Sequence, residues 1–318
     1  LSKRAKALLA SSSVTKMSQS FMAAQDFLYD SPALAAQPLD GLNTTYYARG
    51  IGEVYARSGW DKNATWVTMK GGAYTESHAH QDQGSLMVYK GGWLIHDANT
   101  MSKSGLAQAT TAHSVVRIDN AGTPVKQIVN TFSKMQTLKK GANFVYMSAD
   151  LTPSYKGNAA VQKVHRDLLF VQPNIIIVFD RVQTPGTTTQ TWQLPSPVAP
   201  VVSGNTATFT NAGHSLKVQR ISPATATASV YNYASTTEFT AGFRYDAKVT
   251  GGDNRFLHVM GIDGAVSSAA ATGTSGVTVN VAGGGQVTVH FNRDTAGATV
   301  TINGATTTIG ATVDVLAE

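Results

Sequence analysis

Short runs that alternate between apolar and polar residues dominate the chain from Tyr46 onward. The clearest runs span residues 46–58, 64–72, 84–97 and 113–120. They are rich in β-branched and aromatic residues and are separated by Gly, Asn and Asp, which is typical of half-buried β-strands. After about residue 184 the chain is rich in Thr, Ala, Gly and Val and still alternates. We therefore predict an all-β protein, a large antiparallel β-sandwich or two sandwiches in series.

Turn residues predict two of the connections between apolar runs. Lys90-Gly91-Gly92 separates two apolar runs, which predicts a hairpin turn. Further on, Gln172-Pro173-Asn174 joins two strong strand candidates. The second of these, residues 174–180, is apolar enough to predict a strand buried inside a sheet.

The first thirty residues have a different pattern. Their apolar positions recur at roughly helical spacing and Ser31-Pro32 follows as a stop, which predicts one or two helices. We expect a helical segment with its linker over residues 1–40, a central β-sandwich over 41–200, and a continuing or second sandwich over 201–318. Because the chain begins at Leu1 without an initiator Met, we expect a cleaved product whose upstream part is missing.

Composition narrows the classes of partner. The formal net charge is +6 and the estimated pI is 9.4, which favours an anionic partner such as nucleic acid, anionic lipid or acidic polysaccharide. We find no dense Lys/Arg block with interleaved aromatic residues, so nucleic acid is disfavoured. No apolar run approaches the roughly 20 residues of a membrane helix, so a membrane is disfavoured too. Because the chain has no cysteine, a bound metal would need His, carboxylate or water ligands.

Histidines are concentrated in one part of the chain. Four of the eight, His78, His80, His96 and His113, fall within 36 residues. If residues 78–82 form a strand, His78 and His80 share one face with a spacing of about 6.5–7 Å. Histidine serves both as a metal ligand and as a proton carrier near neutral pH, so this segment is the first candidate for a functional site.

Two histidines and one carboxylate are a common ligand set for zinc. His80, Asp97 and His113 would supply it from three separate segments, with Asp97 placed opposite the histidines by the hairpin. The alternative is a set of ordinary polar residues on a solvated sheet face. The spacing matches neither a zinc protease motif nor a zinc finger.

Residues 77–99 (SHAHQDQGSLMVYKGGWLIHDAN) and 110–120 (TTAHSVVRIDN) resemble the heparinase II/III-like polysaccharide lyases. The flanking segments of the sequence also resemble this family, and the resemblance extends over roughly residues 43–195. In that family the sandwich carries an H-x-H-x-D-x-x-S segment, an Asp that ends the next strand, and a later A-H-N segment. The chain departs from the last pattern at Ser114, which replaces the usual Asn.

The resemblance implies roles for particular residues. His80, Asp97 and His113 would be the ligands of one structural divalent metal, with Zn²⁺ as the expected ion, and His78 would lie beside the substrate cleft as the catalytic histidine. It also implies an upstream α-helical toroid domain that supplies further catalytic groups. The expected reaction is β-elimination on a uronic-acid-containing anionic polysaccharide, in a secreted or periplasmic bacterial enzyme.

Other candidates and other functions stay open at this point. Arg57, Arg117 and Gln81 are candidates for substrate binding, although an Arg in a strand often lies on a solvated face. Tyr89 and Trp93 would stack on sugar rings or pack in the core. The alternative functions are a non-catalytic carbohydrate-binding or structural sandwich and, less favoured, a metal-dependent glycan hydrolase. The sequence does not identify the uronate polymer.

Overall fold

Antiparallel β-strands form nearly all of the regular structure in the computed structural model of the chain. The structure describes residues 3, 33, 35–39, 41–76, 78–98, 108–233 and 242–316. The all-β prediction is confirmed, whereas the helices predicted over residues 1–30 lie outside the described residues, apart from residue 3. No helix in the described ranges is long and apolar enough to cross a bilayer.

The strands, in chain order, are β1 (Thr45–Ala48), β2 (Glu53–Arg57), β3 (Trp66–Lys70), β4 (Ala73–Tyr74), β5 (Leu86–Tyr89), β6 (Trp93–Ile95), β7 (Val116–Asn120), β8 (Thr123–Pro124), β9 (Thr131–Phe132), β10 (Lys134–Lys140), β11 (Phe144–Asp150), β12 (Lys163–Val171), β13 (Ile175–Gln183), β14 (Thr188–Ser196), β15 (Val201–Ser203), β16 (Thr206–Asn211), β17 (His214–Ser222), β18 (Thr227–Asn232), β19 (Phe243–Thr250), β20 (Asp253–Ile262), β21 (Val266–Thr272), β22 (Gly276–Val281), β23 (Gln286–Phe291), β24 (Ala298–Ile302) and β25 (Ala305–Ile309). Among the described residues, 3-10 turns at Thr110–Ala112 and Thr152–Tyr155 lie in the connections between strands.

These strands form four main sheets and one two-stranded ribbon, β4-β9. The motif sheet has the order β1-β2-β3-β5-β6, and the flanking sheet has the order β18-β19-β14-β7-β8. The central sheet has eight strands in the order β10-β11-β12-β13-β20-β17-β16-β15. The C-terminal sheet is the meander β21 to β25. Strands from both sides of residue 200 therefore share the central sheet.

The central sheet is covered on both faces, which explains its apolar strands. Along β13, Ile176 and Val178 belong to the core shared with the motif and flanking sheets. Ile175 and Ile177 belong to a second core, shared with the C-terminal sheet. Because alternate side chains of a strand point to opposite faces, a strand between two cores must be apolar at nearly every position. The predicted buried strand at residues 174–180 is confirmed.

The two predicted connections are also confirmed. β5 and β6 pair in antiparallel fashion, and the Lys90 N–H donates to the Gly92 carbonyl at 2.9 Å in the turn between them. β12 and β13 pair in antiparallel fashion along nine residues each, on either side of Gln172-Pro173-Asn174. The first hairpin ends with β6, and Asp97 follows β6 in the chain.

Candidate metal centre

The segment that carries His78 and His80 is irregular, so the prediction of a strand over residues 78–82 is wrong. His78 lies in an exposed turn, and the chain becomes regular only at Leu86, where β5 begins. Just beyond this segment, the Gln127 side chain takes the place of a strand neighbour for Gln83, because it accepts from the Gln83 N–H at 2.8 Å and donates to the Gln83 carbonyl at 2.9 Å. The Gln83 backbone is thus satisfied without a sheet ladder.

Asp97 and His113 reach the same region from two other connections. Asp97 lies two residues beyond the end of β6. His113 directly follows the 3-10 turn Thr110–Ala112 and precedes β7. The Ala98 N–H donates to the Ala112 carbonyl at 3.1 Å, which ties these two connections together.

The three predicted ligands converge on one point. Within the described residues, His80, Asp97 and His113 form a group whose candidate ligand atoms all lie within 4.8 Å of one another. Nδ1 of His113 is 3.3 Å from Oδ1 of Asp97, and Nδ1 of His80 is 3.8 Å from Oδ2 of Asp97. Ligand bonds of about 2.0–2.1 Å in a tetrahedron separate the ligand atoms by about 3.3 Å, which the His113–Asp97 separation matches and the His80–Asp97 separation exceeds.

The burial of His113 and the lowered pKa of His80 both suit metal binding. His113 is fully buried, and neither ring nitrogen makes a hydrogen bond. Buried polar atoms without partners are rare in proteins, and a cation between His113 and Asp97 would supply a partner for one of the two ring nitrogens. Burial, with a smaller effect of the nearby His113, lowers the pKa of His80, which keeps this imidazole neutral and able to bind a metal at neutral pH.

The other acidic and histidine side chains nearby have different environments. Asp82 accepts from Lys70 Nζ at 2.7 Å. His96 is buried against the flanking sheet, where its backbone N–H donates to the Pro195 carbonyl at 3.0 Å. Burial lowers the pKa of His96 to about 4, so this imidazole is neutral at physiological pH. Neither Asp82 nor His96 belongs to the converging group.

Arg57, a candidate for substrate binding, lies away from this group. It forms a cross-strand row on the outer face of the motif sheet with Trp66, Tyr89 and Trp93. This row is at the hairpin end of the sheet, about 10 Å along β5 from the end where the ligand segments lie. The Arg57 guanidinium is buried between the Trp60 and Trp66 rings, at 3.9 and 3.7 Å from their centroids.

Arg117 lies nearer, but its guanidinium is already bound. Its Nε is 3.0 Å from Oδ1 of Asp119, its Nη2 is 3.0 Å from Oδ2, and its Nη1 donates to Gln193 at 3.2 Å. Gln81, the third substrate-binding candidate, accepts from the Gln127 N–H at 3.2 Å through its side-chain oxygen. Both residues have structural contacts, and their roles toward a substrate stay predictions.

Residues of the flanking sheet that sequence reasoning missed support the His113 segment. Gln193 Nε2 donates to the His113 carbonyl at 2.7 Å. Arg244 Nη1 and Tyr233 Oη both donate to the Thr111 carbonyl, at 2.8 and 2.6 Å. The signal available in the sequence was a polar side chain within an otherwise apolar strand. Polar side chains at such positions are buried together with hydrogen-bond partners.

Comparisons with known proteins identify the family of the chain. The model of the family "Heparinase II/III-like, C-terminal" matches residues 52–248, which contain all three converging side chains. A heparin-sulfate lyase from Pedobacter heparinus is 28% identical over 180 residues, which cover 52% of this chain and 26% of that protein.

Solved structures show the same fold. The crystal structure of heparan sulfate lyase HepC from Pedobacter heparinus matches with a TM-score of 0.61 at 18% identity, over 92% of this chain and 46% of that one. A crystal structure of heparinase III matches with a TM-score of 0.62 at 15% identity, over 86% and 43% of the two chains. The chain thus spans less than half the length of these relatives.

Proposed function

The chain belongs to the heparinase II/III-like polysaccharide lyase family, and from this premise we propose that it is the β-sandwich part of a lyase that cleaves a uronate-containing glycan. The observation that carries the proposal is the convergence of His80, Asp97 and His113 in the family-matched region, next to the exposed turn of His78. Because both relatives named for a substrate act on heparin or heparan sulfate, a sulfated uronate polymer is the first substrate to test. The net charge of +6 suits such an anionic chain.

The proposed chemistry is β-elimination. The C5 proton of a uronate residue is weakly acidic because it lies beside a carboxylate, so that carboxylate must be neutralised when the proton is removed. Removal of the proton forms a C4–C5 double bond while the C4–O glycosidic bond breaks. The departing oxygen then receives a proton, and no water is added to the products.

His78 is the residue of this chain that we assign to the reaction. Its exposed position allows contact with a bound polymer, and a neutral imidazole would act as the base or as a partner of the substrate carboxylate. The remaining acid and carboxylate-binding groups would come from an α-helical toroid domain of the same enzyme, which is consistent with the greater length of the relatives.

His80, Asp97 and His113 would hold one divalent metal, Zn²⁺ by its ligand preference. When bound, the metal would contribute a structural link between three chain segments, since β-elimination needs no activated water. Because His80 is two residues from His78, its place in this group would restrain the turn of His78. We propose that the enzyme is secreted or periplasmic in a bacterium, where it would meet polymeric glycans.

The test is an assay on heparan sulfate with the full-length protein that carries this chain. Formation of unsaturated product is followed by near-ultraviolet absorbance, and His78→Ala is compared with the wild type. We expect loss of activity, with unchanged metal content and circular dichroism. A hydrolase would cleave the polymer without the absorbance, and His78→Ala with near-normal product formation would refute the assignment of His78.

A further inference from the structure

Two buried Arg–Asp pairs lie side by side on β12 and β13, on opposite faces of the central sheet. Nε of Arg166 is 2.6 Å from Oδ1 of Asp180, and Nη2 of Arg181 is 2.8 Å from Oδ2 of Asp167. All four side chains are at most 1% exposed. A buried ion pair adds little net stability compared with apolar residues, so the other contacts of these pairs are the place to look for a role.

Arg166 uses the rest of its guanidinium on the segments of the candidate metal centre. Its Nη1 donates to the Gly84 carbonyl at 2.6 Å and also to the Ser114 carbonyl. Gly84 is four residues beyond His80, and Ser114 directly follows His113. One buried side chain therefore joins the two segments that deliver the histidine ligands.

Asp180 and Trp192 hold the Arg166 guanidinium in its orientation. Asp180 accepts from Arg166 through both oxygens, at 2.6 and 3.2 Å. Trp192 Nε1 donates to Asp180 Oδ2 at 3.0 Å, so the carboxylate is itself held in place. The planar fork of Arg suits this arrangement, because it binds a carboxylate on one side and presents further donors on another.

We propose that Arg166 is a positioning residue of the metal centre, which holds the His80 and His113 segments at ligand distance through the Gly84 and Ser114 carbonyls. The inference rests on the proposed function, since it assumes that this group of residues binds a metal. Residues that orient metal ligands without touching the ion commonly contribute about 10- to 100-fold in affinity. We expect an effect of that size for Arg166.

Arg181 provides a matched control on the same two strands. It is just as buried and is paired with Asp167 through one nitrogen, but its guanidinium also donates to the Asn292 carbonyl at 2.6 Å, on the side of the C-terminal sheet. Loss of Arg181 also leaves a buried Asp without its cation, although Tyr146 and Ser148 still donate to Asp167. It removes no contact to a segment of the metal centre.

The experiment compares Arg166→Met with Arg181→Met in the 318-residue chain. Zn²⁺ affinity is measured by competition with a chromophoric chelator, and Tm is measured with Zn²⁺ and with EDTA. We expect Arg166→Met to weaken Zn²⁺ binding by about 10- to 100-fold and to reduce the rise in Tm that Zn²⁺ gives. Arg181→Met should lower both Tm values together and leave the Zn²⁺ affinity unchanged.

A second variant, Arg166→Lys, keeps the test valid if the Arg166→Met protein does not fold. It keeps a positive charge beside Asp180 but lacks the fork that reaches both carbonyls, so Zn²⁺ binding should again be weaker. Wild-type affinity in both Arg166 variants would overturn the role of Arg166 alone. A wild-type protein that binds no Zn²⁺ would instead contradict the metal centre and this inference with it.

Discussion

His258 on β20 gives a prediction that does not depend on any metal. The side chain is fully buried, stacks on Trp192 with ring centroids 3.6 Å apart, and makes no hydrogen bond through either ring nitrogen. Burial lowers the pKa of His258 well below its usual value, and the positive charges of Arg220 and Arg166 act in the same direction. The folded protein therefore keeps this imidazole neutral in mild acid.

The size of the effect follows from proton linkage. Above pH 6.5 the residue is neutral in both states and costs nothing. Below pH 6.5 the unfolded chain binds a proton that the folded chain excludes, so stability falls by up to about 1.36 kcal/mol per pH unit until the pH reaches the folded-state pKa. Between pH 7 and pH 5 the expected loss from His258 is about 2 kcal/mol.

The assay compares the wild type with His258→Leu by urea unfolding at several pH values, with EDTA present throughout. The free energy of unfolding of the variant, relative to the wild type, should rise by about 2 kcal/mol as the pH falls from 7 to 5. The control is His290→Ser, because His290 on β23 is exposed and hydrated in both states. A His258→Leu difference that stays constant over this range would refute the reasoning.

Two further predictions concern packing and the support of the site. Gly52 has φ +69°, and an added Cβ would lie 2.2 Å from the Gly72 Cα, so Gly52→Ala should lower the free energy of unfolding by more than about 3 kcal/mol. Gly122→Ala, at φ +79° with no atom near, should cost only about 1–2 kcal/mol; equal losses in urea unfolding would contradict the clash. Gln193→Leu removes the buried donor to the His113 carbonyl and should cost about 1–3 kcal/mol, whereas an unchanged urea midpoint would argue against that support.

The parts of the fold that follow from local pattern were predictable. The hairpin at Lys90-Gly91-Gly92 was visible because turn residues separate two apolar runs, and β13 was visible because a strand between two cores has no polar face. The sequence pattern did not show that strands before and after residue 200 share one central sheet. Long-range strand pairing, such as β13 with β20, leaves no periodic signal in either segment.

The candidate ligands were predictable in identity, and their geometry was not. Resemblance and residue type named His80, Asp97 and His113, which the structure brings together. The strand proposed for His78 and His80 was wrong because alternation alone does not distinguish a strand from an irregular segment, and just beyond it the Gln127 side chain binds the Gln83 backbone in place of a neighbouring strand. Contacts of this kind join positions more than 40 residues apart and depend on the finished fold.

Metal analysis of the purified 318-residue chain tests the central claim most directly. Elemental analysis of the wild type should give one divalent metal ion per chain, and Asp97→Asn, which keeps the side-chain shape but removes the charge, should give none with unchanged circular dichroism. His78→Ala should retain the metal, because that side chain is assigned to the substrate. A folded wild-type chain without metal, with the same Tm in EDTA and in Zn²⁺, would contradict the account.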